Sequence, residues 1–446
     1  MRPRMAVGIL LTCTIAFELF VLRRLRFDAA VVGIVLAGTF LDVDYLTYTS
    51  VGQRNYDGAS HLEYIQSIAS TLRVPEVFSC AVCGHPPLYY ALGALWVKTA
   101  LAGGWVPLEL GLQWLSLLLF FGFVVFSLLM IRSCTVQAAT LRMSAALVVF
   151  WPSSVINSVR VHNDALASPL MLAALYFTAE WHKNRLARHF VAAVVVSALA
   201  LLTKASGYAV ATTLLLVAAS RLRSAEGRSL AIKQFVCATL VLGTIGLLVT
   251  TLRASRMSRT SCQLLLGSAC NSRYVPPLPD SPGRFLSFHL RDFVSRLDTI
   301  PEDPFLNRFA KSSLFGVAHL GEPFTTPYHE LLARWLSCGL LAMVSVCLCG
   351  TLLFGKVWLR KYRVYLVSVA IMVLFLLAFR LRVANEYHED FRHIFAALVP
   401  FCMCYAAVVA NSSRYSKLLN WAGTALALLM IICSLAFFLR IPGRLI

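Results

Sequence analysis

Charge is what this sequence has least of. Only 14% of its 446 residues are Asp, Glu, Lys or Arg, against about 25% in a soluble globular protein, so a water-soluble globule is excluded. Acidic residues are the scarcer sign, 21 against 40 Lys and Arg, which leaves a formal net charge of +19. Strict polar–apolar alternation is also missing, and this argues against a membrane β-barrel, whose strands alternate between lipid and lumen. Neither an internal repeat nor a low-complexity tract interrupts the chain. No small-residue cleavage site convincingly follows the first apolar run, so residues 5–22 are expected to remain as a helix rather than leave as a signal peptide.

Long apolar runs fill the space that charge vacates. Hydrophobic residues make up 59% of the chain and the mean hydropathy is +0.73. Apolar runs recur at 5–22, 29–46, 86–103, 108–131, 139–156, 165–181, 190–203, 207–220, 235–252, 331–355, 364–380, 393–410 and 418–440. Continuous runs of this length read as membrane-spanning helices. The expected fold is an all-α integral membrane protein, a polytopic bundle of about twelve transmembrane helices with extracytoplasmic loops that carry juxtamembrane helices.

Basic clusters set the orientation. Arg23, Arg24 and Arg26; Arg132 and Arg142; Lys183, Arg185 and Arg188; Arg221, Arg223, Arg228 and Lys233; Lys356, Arg360, Lys361 and Arg363; and Arg414 and Lys417 all fall between apolar runs. The positive-inside rule places them in the cytoplasm, so topology and anionic headgroups account for the net charge, and membrane lipids rather than nucleic acid are the expected partners. Run 86–103 starts with two prolines and contains Lys98, and it reads as an interfacial helix on the outer side. One membrane domain then covers 1–446. Its first outer loop is 47–107 and its large outer loop is 253–330. Cys80, Cys83, Cys262 and Cys270 fall in those two loops, where disulfides are plausible in an oxidising compartment and the pairing stays open.

The ionisable residues that remain gather on the outer side. In Arg54-Asn-Tyr-Asp57-Gly-Ala-Ser-His61, a helix starting after Gly58 puts Asp57 and His61 four apart on one face. Such a pair can bind a cation or move a proton, or Asp57 can simply cap the helix. Further along come His85 before Pro-Pro-Leu-Tyr-Tyr, then His162-Asn163-Asp164, then Leu202-Thr203-Lys204-x-Ser206-Gly207. Lys311-Ser-Ser-Leu314-Phe315-Gly316 and Phe391-Arg392-His393 follow late in the chain.

Taken in order, these stretches resemble the polyprenyl-phosphate-sugar glycosyltransferases of the GT-C superfamily, in the bacterial branch similar to protein O-mannosyltransferases and lipid A aminoarabinose transferases. His393 departs from the Phe-Arg-Tyr that the family often has. The resemblance implies transfer of a sugar from a polyprenyl-phosphate donor to an extracytoplasmic glycan, lipid or protein, with inversion. It implies a bacterial inner membrane with the site facing the periplasm. Asp57 is then the expected base, with His61 and Asp164 as further catalytic candidates. Arg54, His85, Asn163, Lys204, Arg392 and His393 are the candidates for holding substrate, and Arg392 and Lys204 lead for the departing phosphate. A divalent cation, Mg or Mn, is possible if Asp57 and Asp164 converge. Each residue also has a plainer role: Asp164 capping its helix, Lys204 snorkelling, Arg392 in a solvated turn. The rival functions are a transporter or flippase of lipid-linked intermediates and an O-antigen ligase or polymerase with arginines in the large loop.

Overall fold

The computed structural model describes residues 3–49, 57–77, 79–135, 137–222, 228–255, 282–297, 303–316, 324–382, 389–412 and 416–439. Among them all regular structure is helical. Arg54, Cys262 and Cys270 lie outside the described residues.

An N-terminal pair, α1 (Pro3–Arg24) and α2 (Ala29–Tyr48), opens the bundle. Asp28 caps α2, its Oδ1 accepting from the Val31 amide at 2.9 Å. The first long loop carries two short helices, α3 (Gly58–Thr71) and α4 (Leu88–Thr99). Twelve residues make α4 about 18 Å long, too short to cross a bilayer. It packs instead on α3 and on the next element, α5 (Leu108–Cys134). Val82, Cys83, Tyr89, Tyr90 and Ala94 join Tyr64, Ile65 and Ile68 of α3 in a small core of their own. Cys80 and Cys83 are disulfide-bonded and close the turn that leads into α4.

The next apolar run does not form one straight span. It breaks into α6 (Ala138–Val149) and α7 (Pro152–Ser158), bent by 58°. Trp151 is extended at ψ 133°, and Pro152, with no amide hydrogen to give, starts the second piece. The Trp151 Nε1 and Ser153 Oγ both donate to the Ser313 carbonyl, at 2.6 and 2.7 Å. Then come α8 (Asp164–Asn184), α9 (Ala187–Thr203), α10 (Gly207–Arg221) and α11 (Arg228–Ser255). The large loop holds α12 (Pro282–Leu286), α13 (Leu290–Ser295) and α14 (Phe305–Phe315). Two long helices, α15 (Pro327–Lys361) and α16 (Arg363–Arg382), precede a 3-10 helix (Phe391–Ala397) that runs into α17 (Leu398–Ser412), and α18 (Lys417–Phe438) closes the chain.

Among the described residues, eight helices are long and apolar enough to cross a membrane, or nine if the bent pair counts as one span. The expected count of about twelve is not reached by that measure. The shortfall has a physical reason: α9 and α10 have 17 and 15 residues, where about 20 are needed to cross unassisted, and α8 carries Asp164, Glu180 and Lys183. The chain is an integral membrane protein on the strength of the remaining spans.

The Lys311 motif of the large loop is a tie rod rather than part of a site. Its buried ammonium donates to the carbonyls of Phe293 and Arg296 and to Ser337 Oγ, joining α14 to α13 and α15. Ser312 Oγ accepts from the Phe391 amide at 2.8 Å and so steadies the 3-10 helix.

Gly207 marks a second tight join. A Cβ there would lie 2.6 Å from the Ala200 carbonyl carbon and 2.6 Å from the Leu201 nitrogen, both backbone atoms that cannot rotate away. Alanine would gain up to about 1 kcal/mol of helix propensity, but overpacking against rigid backbone costs about 1–3 kcal/mol, so the clash wins. Gly207→Ala is therefore expected to lower the melting temperature in detergent; an unchanged midpoint would show that the α9–α10 turn can open without loss.

Candidate active site

Four separated stretches of chain bring their ionisable side chains to one place. Asp57 stands at the start of α3, where its backbone carbonyl accepts from Ser60 and His61, yet its side chain makes no capping bond. The carboxylate turns instead to imidazoles: Oδ2 is 3.5 Å from His61 Nε2 and 3.4 Å from His162 Nε2. The capping role open to Asp57 in the sequence is thus not the one it plays. His61 is fully buried, as the i+4 spacing on α3 makes possible. Its ring lies 4.2 Å from that of His162, centroid to centroid, and 6.3 Å from the stacked ring of His85.

Behind His162 lies a second layer. Its Nδ1 is 2.8 Å from Asp164 Oδ2, and Lys204 Nζ donates to Asp164 Oδ1 at 2.5 Å. Asp164 therefore neither caps α8 nor faces Asp57 directly, and Lys204, 6% exposed at the end of α9, is not snorkelling. Asn163 is entirely buried, with neither amide atom hydrogen-bonded.

From the far end of the chain comes Arg392. Asp390 caps the 3-10 helix, its Oδ1 accepting from the Arg392 amide at 2.9 Å. Its Oδ2 sits 3.3 Å from Arg392 Nε, and the outer Nη2 reaches within 3.9 Å of Asp57 Oδ2. A small cavity lies beside this cluster, lined by Asp164, Arg392 and Asn157 at its polar end and by Phe120, Phe123 and Phe395 among its apolar walls.

The site arginine is braced by an ionic knot. Glu389, with no exposed surface, takes Arg284 bidentately at 2.9 and 3.1 Å, Arg380 Nε at 2.7 Å and Arg308 Nε at 2.8 Å. Three guanidinium groups from α12, α14 and α16 thus close on the residue next to Asp390. His393 faces elsewhere, its ring meeting Phe379 edge-on at 5.9 Å.

Electrostatics keep the two α3 groups in useful states. Burial opposes charge on Asp57, but the neighbouring His162 and His61 outweigh it and hold the carboxyl well below the usual carboxylate range. Burial, helped by His162, pushes His61 down to about 4, so its imidazole is neutral at pH 7. An ionised carboxylate beside neutral imidazole nitrogen is a donor set for a cation.

Geometry bears this out. Asp57, His61 and His162 each offer a ligand atom, all within 4.8 Å of one another. Tetrahedral coordination with bonds of about 2.0–2.1 Å separates ligands by about 3.3–3.4 Å, close to the two spacings onto Asp57 Oδ2. Buried Asp57 Oδ1 and His61 Nε2 have no hydrogen-bond partner. The Asp57–Asp164 pair expected as the metal set is not what the fold assembles: His61 and His162 join Asp57, and Asp164 supports His162 from outside. His162 stood in a motif the sequence flagged, and Glu389 in the last polar loop, but nothing local marked either as central.

No protein-family model matches the sequence, and no curated protein is similar enough in sequence to count as a relative. Solved structures do match in shape. The Archaeoglobus fulgidus oligosaccharyltransferase in complex with Zn and sulfate superposes with a TM-score of 0.52 at 12% identity, covering 91% of this chain and 53% of that one. The same organism's AglB, in complex with an inhibitory peptide and a dolichol-phosphate, gives 0.50 at 12% identity, covering 91% and 55%. ArnT from Cupriavidus metallidurans, bound to undecaprenyl phosphate, gives 0.41 at 13%, covering 92% and 76%. This chain thus spans about half the length of the oligosaccharyltransferase. With its helical membrane bundle and the short helices of its long loops, the chain has the GT-C fold.

Proposed function

We propose that this protein is a membrane glycosyltransferase that moves a sugar from a polyprenyl-phosphate donor to an acceptor outside the cytoplasm. The observation that carries the reading is the Asp57 carboxylate, which leaves its helix uncapped and sits ionised between two imidazoles and Arg392, a residue that also lines a small, partly apolar cavity. The acceptor hydroxyl attacks the anomeric carbon as its proton passes to Asp57 Oδ1, and the new carbon–oxygen bond forms while the bond to phosphate breaks with its electrons. Attack from the face opposite the phosphate inverts the anomeric centre. Arg392, steadied by Asp390, meets the charge that gathers on the leaving phosphate.

A divalent cation held by Asp57, His61 and His162 would add neutralising charge beside that phosphate. Two imidazoles suit Zn²⁺ or Mn²⁺ better than Mg²⁺. Arg284 and Arg308 of the large loop are engaged by Glu389. The disulfide beside the site and the basic clusters of the opposite loops support an active site facing away from the cytoplasm, as in a bacterial inner membrane.

Mass spectrometry of glycans and lipid-linked sugars from a deletion strain tests the function. One sugar should vanish from a glycan, lipid or protein while its polyprenyl-phosphate form accumulates. Altered carrier traffic in the deletion with unchanged transfer would point to a transporter instead.

A further inference from the structure

We propose that Tyr90 is the positioning residue that readies His61 for a cation, accepting the Nδ1 proton of the imidazole and leaving Nε2 bare toward Asp57 and His162. The inference rests on the reading of those three residues as a cation site.

Tyr90 Oη lies 2.9 Å from His61 Nδ1, and neither residue has any exposed surface. A neutral imidazole carries one proton, and only its bare nitrogen can bind a cation. For Nε2 to serve, the proton must sit on Nδ1 and find an acceptor there. The phenol oxygen is at hydrogen-bond distance from it.

A hydroxyl has a further property that a carboxylate or a backbone amide lacks. It can donate to a bare Nδ1 or accept from a protonated one, simply by turning its hydrogen. Without a cation, the His61 proton can rest on Nε2, facing Asp57 Oδ2 at 3.5 Å, with Tyr90 donating to Nδ1. When a cation arrives, the proton moves to Nδ1 and Tyr90 accepts it. No heavy atom has to shift.

The ring is held for this task. Tyr64 stacks on Tyr90 with centroids 3.8 Å apart, and the Tyr90 and His61 ring planes lie within 7° of parallel. The two imidazoles are held differently: His162 Nδ1 lies 2.8 Å from Asp164 Oδ2 and accepts from the Asp164 amide at 3.1 Å, whereas His61 Nδ1 meets Tyr90 Oη. Oxygen partners of this kind fix tautomer and orientation in metal-binding histidines, and losing one typically weakens binding about 10–100-fold.

The test measures Mn²⁺ binding by electron paramagnetic resonance, and Zn²⁺ by competition, on the purified full-length protein. Tyr90→Phe should bind both ions about 10–100-fold more weakly, while the metal-free protein still folds and melts cooperatively. Tyr64→Phe, which keeps the ring stacked on Tyr90 and removes a hydroxyl 3.4 Å from the His85 carbonyl, should bind as the wild type does. Wild-type affinity in Tyr90→Phe would overturn the assignment. Should that variant fail to fold, the ¹⁵N shifts of His61 in the Zn²⁺-loaded wild type decide: protonated Nδ1 is expected, and protonated Nε2 overturns the role. A wild-type protein that binds neither ion removes Tyr90's role and the cation site together, while the transferase reading still stands or falls on Asp57.

Discussion

Asp57→Asn should abolish sugar transfer while the protein remains folded and inserted. General bases contribute about 10²–10⁴-fold, so activity should fall by at least two orders of magnitude. Asparagine keeps the size and one acceptor oxygen, and the neighbours keep other partners: Arg392 still has Asp390, and His162 still has Asp164. The melting temperature should therefore hardly move. A pH profile sharpens the test. Because the imidazoles keep the Asp57 carboxyl well below the usual carboxylate range, its basic form persists as the pH falls toward 5. A decline in wild-type transfer above that pH then belongs to another group. Near-normal activity in Asp57→Asn would remove this residue as the base.

Glu389→Gln should cost more in stability than any single change elsewhere on the outer face. The glutamate oxygens receive Arg284, Arg308 and Arg380, all buried. An amide brings its own hydrogens against guanidinium hydrogens and removes the negative charge on which all three converge. Breaking a buried ion pair from one side costs about 3–5 kcal/mol, which should appear as a loss of many degrees in thermal melting. Activity should fall as well, because Asp390 and Arg392 follow directly in the chain. Glu389→Asp keeps the charge on a shorter arm and should lose less. A Glu389→Gln protein that melts and turns over like the wild type would mean that the arginines find other support.

The membrane bundle and the grouping of Asp57, His61, Asp164, Lys204 and Arg392 were readable in the sequence, because apolar length and the polar breaks between the runs are local properties. The division of labour within that group was not. Asp57 and His61 are joined by spacing along one helix, whereas His162 meets them only through tertiary packing, and no periodicity reports which side of Asp164 it will face. Lys204 looked like a cation for phosphate until its ammonium was found on Asp164. The break at Trp151–Pro152 hid inside an apolar run because hydropathy is blind to direction. The Lys311 motif was legible as important but not as structural, since a buried ammonium serving two carbonyls leaves no charged partner in the sequence to notice.

Where the site residues fall along the chain also bears on how the molecule comes into being. Asp57, His61, His162, Asp164 and Lys204 are all synthesised before α10 is complete, whereas Arg392 and the knot of Arg284, Arg308, Arg380 and Glu389 arrive only with the last quarter of the chain or span the second half. A nascent chain emerging from the ribosome therefore owns a complete cation-binding half well before it owns the arginine that would grip a phosphate.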